Sequence, residues 1–301
     1  MNKISVVISA YNEEKLLEDC LKSVTWADQV IVVDNNSTDD TAKIAKKYAD
    51  EVYSRPNNLM LNVNKNYGFS KATGDWILSL DADERATDEL KKEILKELQV
   101  TSYELRGDVS GYWIPRKNII FGKWIQHTGW YPDYQLRLFR RDRGKFAQKH
   151  VHEMVEVKGK TEQLKGHIQH YNYETVDQFF QKLLVVYSHS EADNLLKDGY
   201  VFNWKDAIIM PLREFFNRYF AHKGYRDGLH GLILSLLMSV YHLVVFLRLW
   251  ERKKYVEQDV NLGEVASEVG VYRQTWKYWV KHAKVDLANN GVAKLVAKYF
   301  G

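Results

Sequence analysis

The first hundred residues repeat one pattern: a short unbroken apolar run, then a stretch with apolar residues at helical spacing. Ile4-Ser5-Val6-Val7-Ile8 reads as a buried strand, and Leu16, Leu17, Cys20, Leu21 and Val24 mark an amphipathic helix over about 13–24. Residues 29–33 form a second predicted strand. Ser37 or Thr38 is expected to cap the next helix, with Asp39 and Asp40 in its first turn, where acids complement the helix dipole. Glu51-Val52-Tyr53 is a third strand, a helix follows over about 61–72, Gly74 ends it, and 76–80 is a fourth strand. This alternation predicts an α/β fold of βαβ units, with a mainly parallel sheet and right-handed crossovers. From about 110 to 171 the pattern changes to short strands and turns, such as 111–116 and 134–140. After Thr175 it reads as helical to the end, with Phe179, Phe180, Leu183, Leu184 and Tyr187 on one face of the helix predicted over 175–196. Three segments result: 1–110, 111–174 and 175–301.

Ligands of open α/β sheets bind beyond the carboxyl ends of the strands. Three such ends carry polar chemistry: Ser9-Ala10-Tyr11-Asn12-Glu13, Asp34-Asn35-Asn36-Ser37, and Asp81-Ala82-Asp83. Two acids at i and i+2 leaving a strand can reach one hard cation that also takes phosphate oxygens. A bound Mg2+ or Mn2+ there would neutralise charge on a departing diphosphate. Alone, an Asp-x-Asp is more often a solvated turn; its place after the fourth strand is what raises its standing. Asp34 can accept from a base N–H or a ribose hydroxyl, or help cap the helix that follows. Tyr11 can stack on a base or pack beneath its loop, and Lys65 can meet phosphate or stay solvated. No Gly-x-Gly-x-x-Gly follows the first strand and no Walker-type loop occurs, so the two commonest nucleotide fingerprints are absent.

The run from Ser5 to Glu14, then Val32-Val33-Asp34-Asn35-Asn36-Ser37-Thr38-Asp39-Asp40-Thr41, then the run from Ala72 to Asp83, resemble the successive motifs of family 2 inverting glycosyltransferases. The resemblance implies a GT-A fold, a nucleotide-diphosphate sugar donor and inversion at the anomeric carbon. It places Tyr11 and Asp34 on the nucleotide, and Asp81 and Asp83 on the metal and diphosphate. The runs Tyr112–Arg116 and His127–Arg140, then Val151-His152-Glu153, are similar to the bacterial lipopolysaccharide-core β-glucosyltransferase group, a likeness that continues to about residue 251.

With this resemblance the segments become a nucleotide-sugar half (1–110), an acceptor half (111–174) and a helical region (175–301). Ala10, Tyr11, Glu13, Asp34, Asn36, Lys65, Asp81, Ala82, Arg137 and Arg140 are the expected donor contacts, with Arg137 and Arg140 read as sharing one face of a strand. Asp81, Asp83 and His152 are the expected metal ligands. Inversion in one displacement needs a base beside the acceptor hydroxyl. Asp133, followed by Leu136 much as the family's base precedes a leucine, is the first candidate, and Glu153 the second. Either acid can instead simply pair with Arg137, Arg140 or Arg141. The expected activity is hexose transfer from a UDP-sugar to a glycan or glycolipid such as lipopolysaccharide core. Transfer to polyprenyl phosphate, or nucleotide-sugar binding without turnover, stays open.

Composition bounds the partners. A formal charge of +4 over 301 residues is too mild to imply nucleic acid, but 205–254 hold nine Lys/Arg against four Asp/Glu. Beside them, 229–247 carry no Asp, Glu, Lys or Arg. As a helix at about 1.5 Å per residue this stretch just matches the ~30 Å hydrocarbon core of a bilayer. His230, His242, Ser235, Ser239 and Tyr241 make it a poor span. The preferred reading is therefore association with an anionic membrane surface, ahead of a buried helix of a dimer or domain core. Cys20 is the only cysteine and reads as a small buried hydrophobe, so no disulfide is expected. The chain passes from Met1-Asn2-Lys3 straight into a strand-like run, from which a cytoplasmic, membrane-peripheral location is expected.

Overall fold

Alternate side chains of a strand point to opposite faces, so a strand buried on both faces needs apolar residues at nearly every position. Ile4–Ala10 (β1) meets that demand. Val6 and Ile8 pack on one side with Leu17, Cys20 and Leu21 of α1 (Leu17–Lys22), and Val7 packs on the other with Phe69. The computed structural model describes residues 2–57, 61–99, 109–147 and 154–288. His152 and Glu153 lie outside the described residues.

The chain divides into two units, Met1–Ile119 with Pro132–Asn172, and Ile120–Tyr131 with Tyr173–Gly301. The first unit joins most of the first two sequence segments, while 120–131 groups with the helical region.

In the first unit β2 (Gln29–Asp34) and β4 (Trp76–Asp81) flank β1, both parallel to it, and β3 (Glu51–Ser54) lies parallel to β2. The helices between them are α1, α2 (Thr41–Tyr48) and α3 (Leu61–Lys71). The second predicted helix starts later than expected, with Asp40 as its N-cap residue. The Asp39 carboxylate instead accepts from the backbone N–H groups of Glu14 (3.2 Å) and Thr41 (3.0 Å), so the acids organise the loop before the helix.

After β4 come β5 (Glu84–Ala86), α4 (Asp88–Gln99), β6 (Val109–Ile120), β7 (Lys123–Trp124) and β8 (Asp133–Arg140). Two-residue strands β9 (Gly144–Lys145) and β10 (Glu156–Val157) pair with each other, before β11 (Lys160–Gln163) and β12 (Ile168–Tyr173). The sheet order is β3-β2-β1-β4-β8-β6-β12-β5, with β11 against β6. Strand β8 runs antiparallel to both β4 and β6.

The parallel register decides which residues meet. Ala10 lies opposite Asp34 on one side, and Ser9 opposite Asp81 on the other, so the three polar strand ends converge at one edge. Because β8 is antiparallel to β4, its first residue, Asp133, lies toward that same edge. Cys20 is fully buried against this core, and burial pushes its thiol pKa up, as suits a packed hydrophobe.

The second unit is helical apart from its 120–131 segment, which carries β7. Thr175 caps its first helix in a reciprocal pair with Gln178, and Phe179 and Leu183 are buried. The helix over Val176–Phe180 passes through a wider π-helical stretch, Gln181–Tyr187, before resuming over Ser188–Lys197. Asp227, 3% exposed, accepts from the backbone N–H groups of Gln126 (3.2 Å) and His127 (2.9 Å) and from the Thr128 hydroxyl (3.0 Å).

The apolar stretch forms the 24-residue helix Leu229–Arg252, which among the described residues is the one helix long and apolar enough to cross a membrane. One side of it, including Leu234, Met238, Val245 and Leu249, is buried in the unit. Its polar residues also face protein: Ser239 donates to the Pro211 carbonyl (2.8 Å), Tyr241 to Glu191, and His242 lies 3.7 Å from Glu214. Ile233, Leu236, Val240, Leu243, Leu247 and Trp250 are exposed on the other side.

Gly68 on α3 sits so close to the sheet that a Cβ there would lie 2.5 Å from Val7 Cγ1 and 3.0 Å from Val33 Cγ2. A Gly68→Ala substitution is therefore expected to lift α3 from β1 and β2 and to cost about 1–3 kcal/mol, measured by urea unfolding. A variant as stable as the parent would show that this contact is slack.

Candidate active site

At the shared edge, Asp81 ends β4 between two cations. Lys65 Nζ, from α3, is 2.5 Å from its Oδ1, and Arg137 Nη2, from β8, is 2.5 Å from its Oδ2. Lys65 and Arg137 are both buried, at 8% and 7% exposure, so these pairs are only weakly screened by solvent. Burial alone would raise the Asp81 pKa, but Arg137 and Lys65 overcome it and hold the carboxyl well below its ordinary value. Burial likewise opposes the charge on Arg137, and Asp81 and Glu84 more than restore it.

Glu84 follows the Asp81-Ala82-Asp83 turn and is completely buried. Its Oε2 accepts from the Asp81 backbone N–H at 2.9 Å, while its Oε1 accepts from Arg137 Nη2 at 2.8 Å and Arg116 Nη1 at 3.1 Å. Arg116 then reaches Asp133 through Nε at 2.8 Å and Nη2 at 2.6 Å. The two residues are direct cross-strand partners in the β6–β8 register. Asn118 and Gln135 also donate to Asp133, at 3.1 and 2.8 Å. Asp133 is partly buried, which pushes its pKa up, yet Arg116 with Gln135 and Asn118 holds it below the ordinary value. It is thus an ionised carboxylate throughout the neutral range.

Asp83 takes a different direction from Asp81. Its Oδ2 lies 3.4 Å from His170 Nε2, whose other ring nitrogen is 2.7 Å from Asn118 Oδ1. Among the described residues no group of three or more His, Cys, Asp and Glu is arranged to hold a metal ion. The expected ligand pair is divided, because both Asp81 oxygens are engaged by cations while Asp83 faces an imidazole. These side chains do not on their own fit a metal centre, and the positive charge at the turn comes from Lys65 and Arg137.

Other sequence-predicted residues sort by strand geometry. Arg137 is at the site, but Arg140 is not: its Nε donates to the Val109 carbonyl (3.1 Å), and its guanidinium lies over the Trp76 ring at the far end of β4. Three residues is an odd separation, so the two arginines occupy opposite faces of β8 rather than one. Asp34 and Asn35 are buried at the end of β2, and Asn35 donates to Ser9 Oγ (3.0 Å) across the strand ends. Asn12 and Asn36 have left-handed backbones, φ 54° and 58°, which turn the chain sharply after β1 and β2. Tyr11 is 41% exposed, and the Glu13 backbone N–H donates to the Thr41 hydroxyl oxygen (2.7 Å). Ala82 is buried in the turn.

Sequence reasoning missed Glu84, Arg116, Asn118 and His170. A period-two signal was there for part of this set: Arg116 and Asn118 alternate on β6, as do Asp133 and Gln135 on β8, whereas an irregularity between Leu136 and Leu138 interrupts the alternation at Arg137. Each pair therefore lines one face.

The glycosyl transferase family 2 model matches residues 5–157. The chain belongs to glycosyl transferase family 2. Its parallel β3-β2-β1-β4 core, extended by β8 antiparallel to both β4 and β6, is the GT-A form of the α/β fold. This glycosyltransferase is 27% identical over 258 residues to the lipopolysaccharide core biosynthesis glycosyltransferase LpsC of Rhizobium meliloti, covering 83% of this chain and 92% of that one. Among solved structures it is similar to Staphylococcus aureus TarS 1–349 in complex with UDP (16% identity, 87% and 95% covered, TM-score 0.42). It is also similar to the mannosyltransferase PcManGT of Pyrobaculum calidifontis in complex with GDP-Man and Mn2+ (12%, 99% and 87% covered, TM-score 0.45).

The depressed carboxyls of Asp81 and Asp133 set an acid limit. Their pKa is lower folded than unfolded, so the unfolded chain binds protons first as pH falls. The stability they contribute is complete above the ordinary carboxylate value of 3.8 and is lost as pH drops through the lower folded values. Thermal melts from pH 7 to pH 3 should show that loss only below about pH 4. In Asp133→Asn the melting temperature should be lower at pH 7 and the acid fall shallower; an unchanged acid fall would show that Asp133 contributes nothing to it.

Proposed function

We propose that this glycosyltransferase transfers a hexose, with inversion, from a nucleotide-diphosphate sugar to a hydroxyl of a cell-surface glycan or glycolipid of the lipopolysaccharide-core type, with a UDP-sugar as donor. The observation that carries this reading is the pair of buried cations, Lys65 and Arg137, held by Asp81 at the end of β4, on the sheet edge toward which β8 begins with ionised Asp133. The relationship to LpsC, a lipopolysaccharide core biosynthesis enzyme, supports the acceptor class. Asp34 at the end of β2, with Ala10, Tyr11, Glu13 and Asn36 around it, is proposed to receive the nucleoside.

The chemistry follows from charge. An acceptor hydroxyl oxygen attacks the anomeric carbon as the bond to the diphosphate oxygen breaks and its electron pair leaves with the diphosphate. Lys65 and Arg137 face the negative charge that grows there. Arg137 Nε, buried and without a hydrogen-bond partner among the described residues, is a further donor for a phosphate oxygen. Asp133 takes the hydroxyl proton, which requires it to be ionised beforehand. Arg116, Asn118 and Gln135 keep it so. The exposed apolar side of Leu229–Arg252 supports working at a membrane surface, where glycolipid acceptors reside.

Two measurements test the reading. In a thermal-shift screen with and without Mn2+, UDP-sugars should raise the melting temperature more than GDP- or dTDP-sugars; stabilisation by GDP-sugars alone would remove the UDP assignment. Asp133→Asn should reduce transfer by about 10²–10⁴-fold while UDP still stabilises the protein. Parental turnover in that variant would exclude Asp133 as the base.

A further inference from the structure

Glu84 is more deeply buried than any role in closing its turn demands. Accepting the Asp81 backbone N–H needs one oxygen, and a neutral amide or hydroxyl would serve. A full negative charge at 0% exposure is costly unless cations pair with it, and Glu84 has two, both on the same oxygen. Each of those arginines also holds a second acid. Arg137 Nη2 sits between Glu84 Oε1 and Asp81 Oδ2, and Arg116 spans Glu84 through Nη1 and Asp133 through Nε and Nη2. Lys65, Asp81, Arg137, Glu84, Arg116 and Asp133 thus form one run of alternating charge, three positive and three negative.

We infer that Glu84 is a positioning residue for transfer: through two arginines it fixes both the group facing the leaving diphosphate and the group that takes the acceptor's proton. The inference rests on the roles proposed above for Arg137 and Asp133. A guanidinium shared by two acids, through different nitrogens in Arg116 and through Nη2 alone in Arg137, cannot rotate without breaking a charge-assisted hydrogen bond. With Glu84 gone, Arg116 is anchored by Asp133 alone and Arg137 by Asp81 alone. Glutamine cannot replace it, since its carbonyl can satisfy only one side. Its NH2 must then face either the arginines or the Asp81 N–H, each already a donor.

The test uses the full chain, with UDP as the binding probe and UDP release from UDP-glucose as the turnover assay. Glu84→Gln should lower kcat about tenfold or more and weaken UDP binding several-fold, because it loosens both arginines. Arg116→Gln should lower kcat by a similar factor and leave the UDP Kd unchanged, since among the described residues the ion pairs of Arg116 are with Glu84 and Asp133. The double variant should lose no more turnover than the worse single one, because Arg116 is one of the two arms through which Glu84 acts and removing it adds no new path. A merely structural role would lower the melting temperature without this split between kcat and Kd.

A folded Glu84→Gln protein with parental UDP affinity and turnover overturns the inference, as do losses that multiply in the double variant. If Glu84→Gln does not fold, parental turnover in Arg116→Gln overturns it instead. Failure of the base assignment looks different: Asp133→Asn then turns over normally, while Glu84→Gln still binds UDP weakly.

Discussion

A buried charge in this protein is tolerable only because another charge answers it. Lys65, Asp81, Arg137 and Glu84 are each at most about one third exposed at the side chain, and Glu84 is wholly enclosed. In such surroundings an unpaired ion costs several kcal/mol. Every member of the run to Asp133 therefore limits where its neighbours can be, and four strands and a helix must supply the members in matching positions. The site is built from this constraint more than from any single motif.

The sheet meets the constraint by register. Parallel pairing of β1 with β2 and β4 sets Ala10, Asp34 and Asp81 at one edge, and antiparallel β8 turns Asp133 toward it. The close seat of Gly68 on Val7 fixes the depth of α3 and so the reach of Lys65 toward Asp81. Packing and electrostatics are linked here: a helix displaced from the sheet would carry its lysine away from the acid. The loops after β1 and β2 are held as firmly, by Asn12 accepting the Thr38 N–H (2.8 Å) and by Asp39.

The helical unit solves a separate problem. Its apolar helix is too polar on one side to face lipid and too apolar on the other to be indifferent to its surroundings. Glu191, Glu214 and the Pro211 carbonyl satisfy the polar side within the unit. What the helix buries and what it exposes follow from that division, which hydropathy averaged along the chain cannot reveal.

The alternation of strands and helices, the three polar strand ends and the buried nature of Cys20 were legible in the sequence, because periodicity and turn chemistry are local. The family motifs were local too, and they carried the fold class. Partner choice was not. That Asp133 pairs with Arg116, rather than with the nearby Arg137, Arg140 or Arg141, depends on a register between strands distant in sequence. The shared face expected for Arg137 and Arg140 ran against parity, which was legible in their three-residue separation; what only the fold supplied was the Val109 carbonyl and the Trp76 ring that Arg140 meets. The division of Asp81 from Asp83, one between two cations and the other facing His170, likewise arises from β8 and β12 meeting a turn more than fifty residues earlier. The sequence by itself determined that acids and a sheet edge would coincide; only the tertiary structure decided which charge answers which, since that is set by distances between segments the chain brings together by folding.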